Sequence, residues 1–578
     1  MKTPAFFERS ELTRVLWGLR HEFAVAVIFT IVVNVLMLTP TLYMLQVFDR
    51  VLVSHSSFTL MALTLVMLFF FLVMSFSEWM RSRLLVRTGV KLDSLLNSRV
   101  FRTCFERQLR QPGGRPAQSL SDLVNVRQFL TGNGAFAFMD APWTPIYIMV
   151  LFLLHPFLGV VSIVFSIVFV VAAYFSGKVV HQPLEVAATA NMELGAFVQN
   201  KLKNSEVVES MGMLGGLRRL WQKRHSKALL LNSHAQDATS RMQAMTKFLQ
   251  YAQQSLALAA GALLVIEGEL SPGAMIAANV LMGRATQPLG VLVSSWRSVL
   301  SAKDAFLRLE NLLEENPVRP RGRAHAPLSG RVEVAQLVAK VPGRESPILK
   351  SLSFSVPSGS VVGVVGPSGS GKSTLARCLM GIWPHVEGSV SLDGESIEHW
   401  ERDELGPYVG YLPQDVELFE GTIAENVARF GEVDSAKVIE ACKRAGIHDM
   451  ILRFPKGYDT PMGVAGGQLS GGQRQRVGLA RAIYGNPRFV VLDEPNANLD
   501  DVGEAALLAA IRDLKQHGTT VFLITHRTNI IGVTDLLLVL KEGTIALFGS
   551  TQEVLARLKA AATPPAPTPV PQIAAVPA

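Results

Sequence analysis

The chain has 578 residues, 49% of them hydrophobic and 18% charged, with a formal net charge of +8. That balance is too apolar for an ordinary soluble protein of this length. It points to a membrane chain, whose basic excess meets anionic headgroups, and no nucleic-acid-binding module is present. The three cysteines, Cys104, Cys378 and Cys442, have neither metal-ligand nor pairing spacing.

The apolar residues concentrate before residue 300. A crossing helix needs about 20 of them in succession, and six stretches qualify: 23–45, 58–77, 136–154, 157–175, 248–266 and 273–293. The first contains Asn34 and Pro40, the third Pro142 and Pro145, and the fifth Gln250, Gln253 and Gln254. The N-terminus has basic residues before an apolar run, but no small-residue cleavage site follows, so it reads as a span rather than a signal peptide. Two long connections are basic. One carries Arg81, Arg83, Arg87, Lys91, Arg99, Arg102, Arg107 and Arg110; the other carries Lys178, Lys201, Lys203, Arg218, Arg219, Lys223, Arg224 and Lys227. The remaining connections are short, offering Arg50, the His155-Pro156 turn and the acidic Glu267-Gly-Glu269. The positive-inside rule places both long connections and both termini in the cytoplasm.

Apolar and charged residues alternate at helical spacing through both connections, as at Leu84-Leu85, Leu92, Leu95-Leu96 and Val100. These segments are expected to be helices that leave the membrane and return, one of them broken at Pro112-Gly113-Gly114. Arg284 is the one basic residue inside a span, about 15–20 Å from the outer turn near Ser271 at 1.5 Å per residue. It either reaches the cytoplasmic headgroups or faces an interior and meets cargo.

The second half has a different composition. Residues 316–323 read as a linker, within a connection over 316–330 between a transmembrane domain at 1–315 and a domain at 331–560. The final Ala- and Pro-rich stretch, 561–578, cannot bury a core and is expected to be disordered. Gly366-Pro367-Ser368-Gly369-Ser370-Gly371-Lys372-Ser373-Thr374 is a phosphate-binding loop. Its glycines let backbone N–H groups converge on phosphate oxygens at a helix N-terminus. Lys372 is placed to reach the β- and γ-phosphates and Ser373 to ligate Mg2+. Phe489-Val-Val-Leu-Asp493-Glu494 is an apolar strand ending in two acids, with Asp493 expected to hold the Mg2+ shell and Glu494 to polarise water. Leu469-Ser470-Gly471-Gly472-Gln473 lies between them. The three elements in this order point to nucleotide hydrolysis.

The set resembles the nucleotide-binding domain of ABC ATPases, an α/β P-loop fold whose own signature is Leu469–Gln473. Gln414 matches the Q-loop glutamine, which contacts Mg2+ and water, Asn498-Leu499-Asp500 matches the D-loop, and His526 matches the switch histidine. The resemblance implies ATP and Mg2+ as ligands. It also implies a homodimer, because the signature of one subunit closes on ATP held by the other. The family's adenine-stacking aromatic is absent, with Val341 in its place. Six spans with long cytoplasmic extensions, followed by this domain, resemble ABC exporters: a polytopic α-helical membrane domain fused to the ATPase.

Leu42–Leu52, Met139–Ile146 with His155-Pro156, and Asp493-Glu-Pro-Asn496-Ala-Asn498-Leu-Asp500 resemble the permease/ATPase of type I secretion systems. The first span starts near Phe23, leaving no room for an N-terminal peptidase domain. That favours the subgroup resembling protease and lipase exporters of the bacterial inner membrane. The resemblance implies an unfolded polypeptide substrate with an uncleaved C-terminal signal, a periplasmic membrane fusion protein and an outer-membrane channel. The alternative is an exporter of lipids or small amphiphiles.

Overall fold

The computed structural model describes residues 10–110, 116–202, 204–317, 328–341, 346–463 and 469–562. The break expected at Pro112–Gly114, most of the 316–323 linker and nearly all of the 561–578 tail lie outside them. The chain divides into two compact units, one carried by residues 1–108 and 113–317, the other by 109–112 and 318–578.

The first unit is helical. Helices α1 (Glu11–Gly18), α2 (Arg20–Leu36) and α3 (Thr39–Gln46) are followed by a π-turn at Val47–Val51. Then come α4 (Ser57–Arg110), α5 (Pro116–Thr131), α6 (Asn133–Asp140), α7 (Thr144–Leu154), α8 (Pro156–Leu202), α9 (Leu214–Ile266) and α10 (Pro272–Glu315). The 54 residues of α4 span about 80 Å at 1.5 Å per residue, far more than the roughly 30 Å hydrocarbon core. The basic connections are therefore carried by helices that extend the spans, as their spacing predicts. Leu85, Leu92, Leu96 and Val100 are buried on α4, whereas Leu95 is exposed.

Among the described residues, five stretches are long and apolar enough to cross a bilayer: Arg20–Ser54, Ser57–Arg110, Gln118–Leu154, Pro156–Leu202 and Leu214–Ile266. The sixth expected span lies on unbroken α10, where Asn279, Arg284 and Gln287 dilute the hydropathy. Its buried face of Ala274, Ala277, Ala278, Leu281, Met282 and Ala285 packs within the helical bundle. Much of this helix meets protein rather than lipid. Small residues allow that close approach.

Polar groups in this unit turn inward. Arg81 donates to Asp140 at 2.9 Å, and Asn34 donates to the same carboxylate oxygen at 2.9 Å. The Tyr147 hydroxyl donates to the Asn34 carbonyl and side-chain oxygens, both at 2.9 Å, and the Arg81 guanidinium lies over Phe136. Asp140 can join this group because the third span breaks after it into a 3-10 turn at Ala141–Trp143. Pro142 and Pro145 sit at that break, where their missing N–H groups do least harm. At the other end, Asp49 in the π-turn accepts from the Ser271 hydroxyl at 2.5 Å and the Gly273 amide at 2.9 Å, capping α10. A side chain at Gly273 would collide with that carboxylate.

The second unit contains two main sheets. Strands β1 (Val332–Ala339), β2 (Leu349–Val356), β4 (Val386–Leu392) and β5 (Glu395–Ser396) form an antiparallel sheet in the order β2-β1-β4-β5. The other comprises β3 (Val361–Val365), β6 (Val409–Leu412), β9 (Phe489–Asp493), β10 (Thr520–Ile524), β11 (Leu536–Lys541) and β12 (Thr544–Ser550). Its order is β12-β11-β3-β10-β9-β6, parallel except for the β12 edge. Strands β7 (Gly421–Thr422) and β8 (Pro461–Met462) form a separate short pair. Both faces of the six-stranded sheet are covered, so β9 and β10 are buried at every residue. The carboxyl ends of β3, β6, β9 and β10 lie on one edge, where open α/β sheets bind ligands.

Candidate active site

Strand β3 delivers the phosphate loop and α11 (Lys372–Leu379) carries it away. Three glycines adopt positive φ: Gly366 at 158°, Gly369 at 79° and Gly371 at 99°. A Cβ on Gly366 would sit 2.2 Å from the Leu540 carbonyl oxygen, and one on Gly371 would sit 2.7 Å from a Leu349 methyl. The loop is thus folded against its neighbours at Gly366 and Gly371, while Pro367, Ser368 and Gly369 are exposed. Lys372 donates to the carbonyls of Gly366 and Pro367, both at 2.9 Å. Burial holds its ammonium below the ordinary lysine value, against the opposing pull of Glu494 and Asp493.

Asp493 ends β9. Burial pushes its carboxyl above the ordinary value and Glu494 adds to this, while Ser373, Arg377 and Lys372 pull the other way. Its Oδ1 is buried with no hydrogen-bond partner, as is the Ser370 hydroxyl. A buried carboxylate oxygen without a donor is a site for a hard cation, and Asp493 with Ser373 fits Mg2+ on that ground.

Glu494 follows with φ of 49°, a left-handed backbone that non-glycine residues rarely adopt. Its amide is tied to the Ile524 carbonyl at 3.0 Å, which fixes the turn. The side chain stands between two partners. Gln414 Nε2 donates to Oε2 at 3.0 Å, and His526 Nε2 lies 3.3 Å from Oε1. The strand ends therefore gather Gln414, Glu494 and His526 at one place, from β6, β9 and β10. Gln475 donates to the Glu494 carbonyl at 3.4 Å and Thr525 to Asn496 at 3.3 Å. Sequence reasoning missed both supporting groups, which belong to no motif of their own.

Ser470 caps α12 (Gly471–Ile483) reciprocally with Gln473: the Ser470 hydroxyl accepts from the Gln473 amide and Gln473 Oε1 from the Ser470 amide. Leu469 is buried. A Cβ on Gly472 would stand 2.5 Å from the Asn498 carbonyl oxygen, so the D-loop backbone sets the need for glycine there. Asp500 caps α13 (Asp501–Gln516) through the Gly503 amide at 2.9 Å.

Two further contacts were not legible in the motifs. Trp383 donates to the Lys340 carbonyl at 3.0 Å, bracing the backbone before half-buried Val341. Arg429 gives four hydrogen bonds to carbonyl oxygens, those of Gly406, Val409, Arg481 and Ala482. It joins the start of β6, which leads to Gln414, to the end of α12. Burial lowers its guanidinium to about 10. Gly410 and Gly478 allow the same two elements to touch: their added Cβ atoms would lie 2.1 Å from the Ala482 oxygen and 2.7 Å from Val416.

A membrane unit of long helices joined to an ATPase of this geometry defines an ABC transporter. The ABC transporter profile matches residues 349–497 and the ABC transporter transmembrane region profile matches 23–289. The chain is 42% identical over 533 residues to the type I secretion system ATP-binding protein PrsD of Rhizobium meliloti (strain 1021), covering 91% of each. It is 28% identical to the cyclolysin secretion/processing ATP-binding protein CyaB of Bordetella pertussis, over 93% of this chain and 76% of that protein. The structure of a bacterial Atm1-family ABC exporter with ATP bound superposes with a TM-score of 0.80 at 25% identity, over 93% of this chain and 96% of that one. The chain belongs to the type I secretion system ATP-binding proteins: it is a multi-pass membrane protein with an ATP-binding domain.

Proposed function

We propose that this protein uses ATP to drive an unfolded polypeptide with an uncleaved C-terminal signal across the bacterial inner membrane, as the energising component of a type I secretion system. The observation that carries the catalytic half is Glu494 held between Gln414 and His526 beside the unpartnered Asp493 oxygen. In this reading residues 1–315 form the transmembrane domain, 316–330 the linker, 331–560 the ATPase and 561–578 a tail, with both termini cytoplasmic.

The residues divide the work. Gly366 to Thr374 cradle the triphosphate, with Lys372 exchanging its two carbonyl partners for phosphate oxygens. Ser373, Gln414 and Asp493 would hold Mg2+, which when bound would supply positive charge beside the triphosphate. Glu494 accepts a proton from the attacking water, Gln414 orients that water, and His526 fixes the carboxylate and meets the γ-phosphate. Leu469 to Gln473 act on the nucleotide held by a second copy, because each chain carries one loop and one signature. The protein is therefore a homodimer. It works with a periplasmic membrane fusion protein and an outer-membrane channel.

The test is reconstitution of secretion in cells from this chain, a fusion protein, a channel and a cargo bearing a C-terminal signal. Secretion should require all of them and stop when the signal is removed. Efflux of lipid or small amphiphiles without the other two proteins would instead establish the alternative exporter class.

A further inference from the structure

A cavity of about 300 Å3 lies in the membrane unit between α8, α9 and α10. Gln243, Thr246, Lys247 and Gln250 line it from α9, and Gln287 and Trp296 from α10. Gln243, Thr246 and Gln250 follow one another at helical spacing on one face. No carboxylate lines the cavity among the described residues.

Gln287 also accepts a hydrogen bond from Arg284 Nη1 at 3.1 Å. Arg284 is half-buried and makes no ion pair among the described residues. It lies about 18 Å along α10 from Pro272 at 1.5 Å per residue. Arg81, in the interior of the same unit, is neutralised by Asp140. Lys247 lines the cavity and Arg284 adjoins it through Gln287, so two cations accompany its neutral amides, and no carboxylate lines it among the described residues. Unpaired charge at membrane depth is costly and marks a functional path. Side-chain amides both donate and accept, so they suit the peptide groups of any extended chain.

We propose that this cavity binds an extended stretch of the exported polypeptide, with Arg284, seconded by Lys247, pairing with a carboxylate on it. The inference rests on the polypeptide reading above. The carboxylate is an acidic side chain or the terminal carboxyl group of the cargo, and the same chemistry recognises both.

The experiment uses the full-length protein in nanodiscs of neutral lipid, titrated with short fluorescent Gly/Ser peptides. One carries aspartates and an amidated end, one a free carboxyl end and no acids, and one is amidated and neutral. Arg284→Ala should weaken binding of a carboxylate-bearing peptide about tenfold, the scale of one lost charge-assisted hydrogen bond. It should leave the neutral peptide unchanged, and Arg284→Lys should retain most of the affinity. Loss with the aspartate peptide alone assigns the site to acidic side chains, loss with the free-ended peptide alone to the cargo terminus, and loss with both to either source. Equal weakening of the neutral peptide, or no weakening of any, overturns the carboxylate site. If the wild type binds none of the three, the site falls, while the polypeptide reading stands or falls on the secretion reconstitution above.

Discussion

The two units put buried polar groups to different uses. In the membrane unit Arg81, Asp140, Asn34 and Tyr147 close on one another, while Phe58, Leu65, Phe69 and Leu72 face outward. In the ATPase unit two unsatisfied buried groups, Asp493 Oδ1 and the Ser370 hydroxyl, lie at the phosphate loop and the end of β9. The contrast separates polar groups that hold a fold in lipid, where an unpaired donor has no water to turn to, from polar groups kept available for chemistry.

The largest break in that contrast is Asp140→Ala. It leaves the Arg81 guanidinium buried without its carboxylate, a loss of about 3 to 5 kcal/mol for a broken buried pair. Thermal unfolding in nanodiscs should show a marked drop, and adding Arg81→Met should restore part of it. A wild-type midpoint in the single variant would mean that the network contributes no stability. Glu494→Gln acts on the other unit. It should keep ATP binding and lower turnover by about 100-fold or more, the scale of a lost general base. Near-normal turnover of the purified variant would remove Glu494 from that role.

Asp493→Asn sharpens the comparison. Burial raises the Asp493 carboxyl, so its ionised form at neutral pH costs folding free energy that a neutral amide does not. The nucleotide-free variant should unfold at a higher temperature than wild type while losing Mg2+-dependent hydrolysis. The sign follows from linkage: the wild type recovers this stability as pH falls through the raised pKa, so the difference narrows in acid. A variant less stable than wild type at neutral pH would contradict it. The smallest expected effect is at Val341. Val341→Tyr should tighten ATP binding by about 1 kcal/mol, one stacking contact, and raise the preference for ATP over GTP. Strong ATP selectivity in the wild type would show that another group already recognises the base.

The site was legible because its chemistry demands residue types at fixed spacing. Gln414, Glu494 and His526 are far apart in the chain, yet each follows a strand of the parallel sheet, and parallel strands bring their ends together. Arg429 was not legible. It works through its guanidinium on backbone carbonyls, which any sequence supplies. In the membrane unit hydropathy located the spans, and the break in the third was not foreseen, although Pro142 and Pro145 lie at it. Hydropathy did not distinguish inside from outside within a span. Arg81 counts as one more cytoplasmic charge in the sequence, whereas its side chain is 9% exposed and paired across helices. The π-turn at Val47–Val51 had no signal, because nothing in its residues demands an extra amide per turn.

Arg429 also has a mechanical meaning. A guanidinium is flat and rigid, and this one is pinned at both edges by four acceptors from two elements. It behaves as a rivet through two plates rather than as a hinge pin. A displacement felt at the strand leading to Gln414 is passed to the far end of the signature helix with little slack. Lysine, a single flexible point charge, can replace the cation there but not the stiffness.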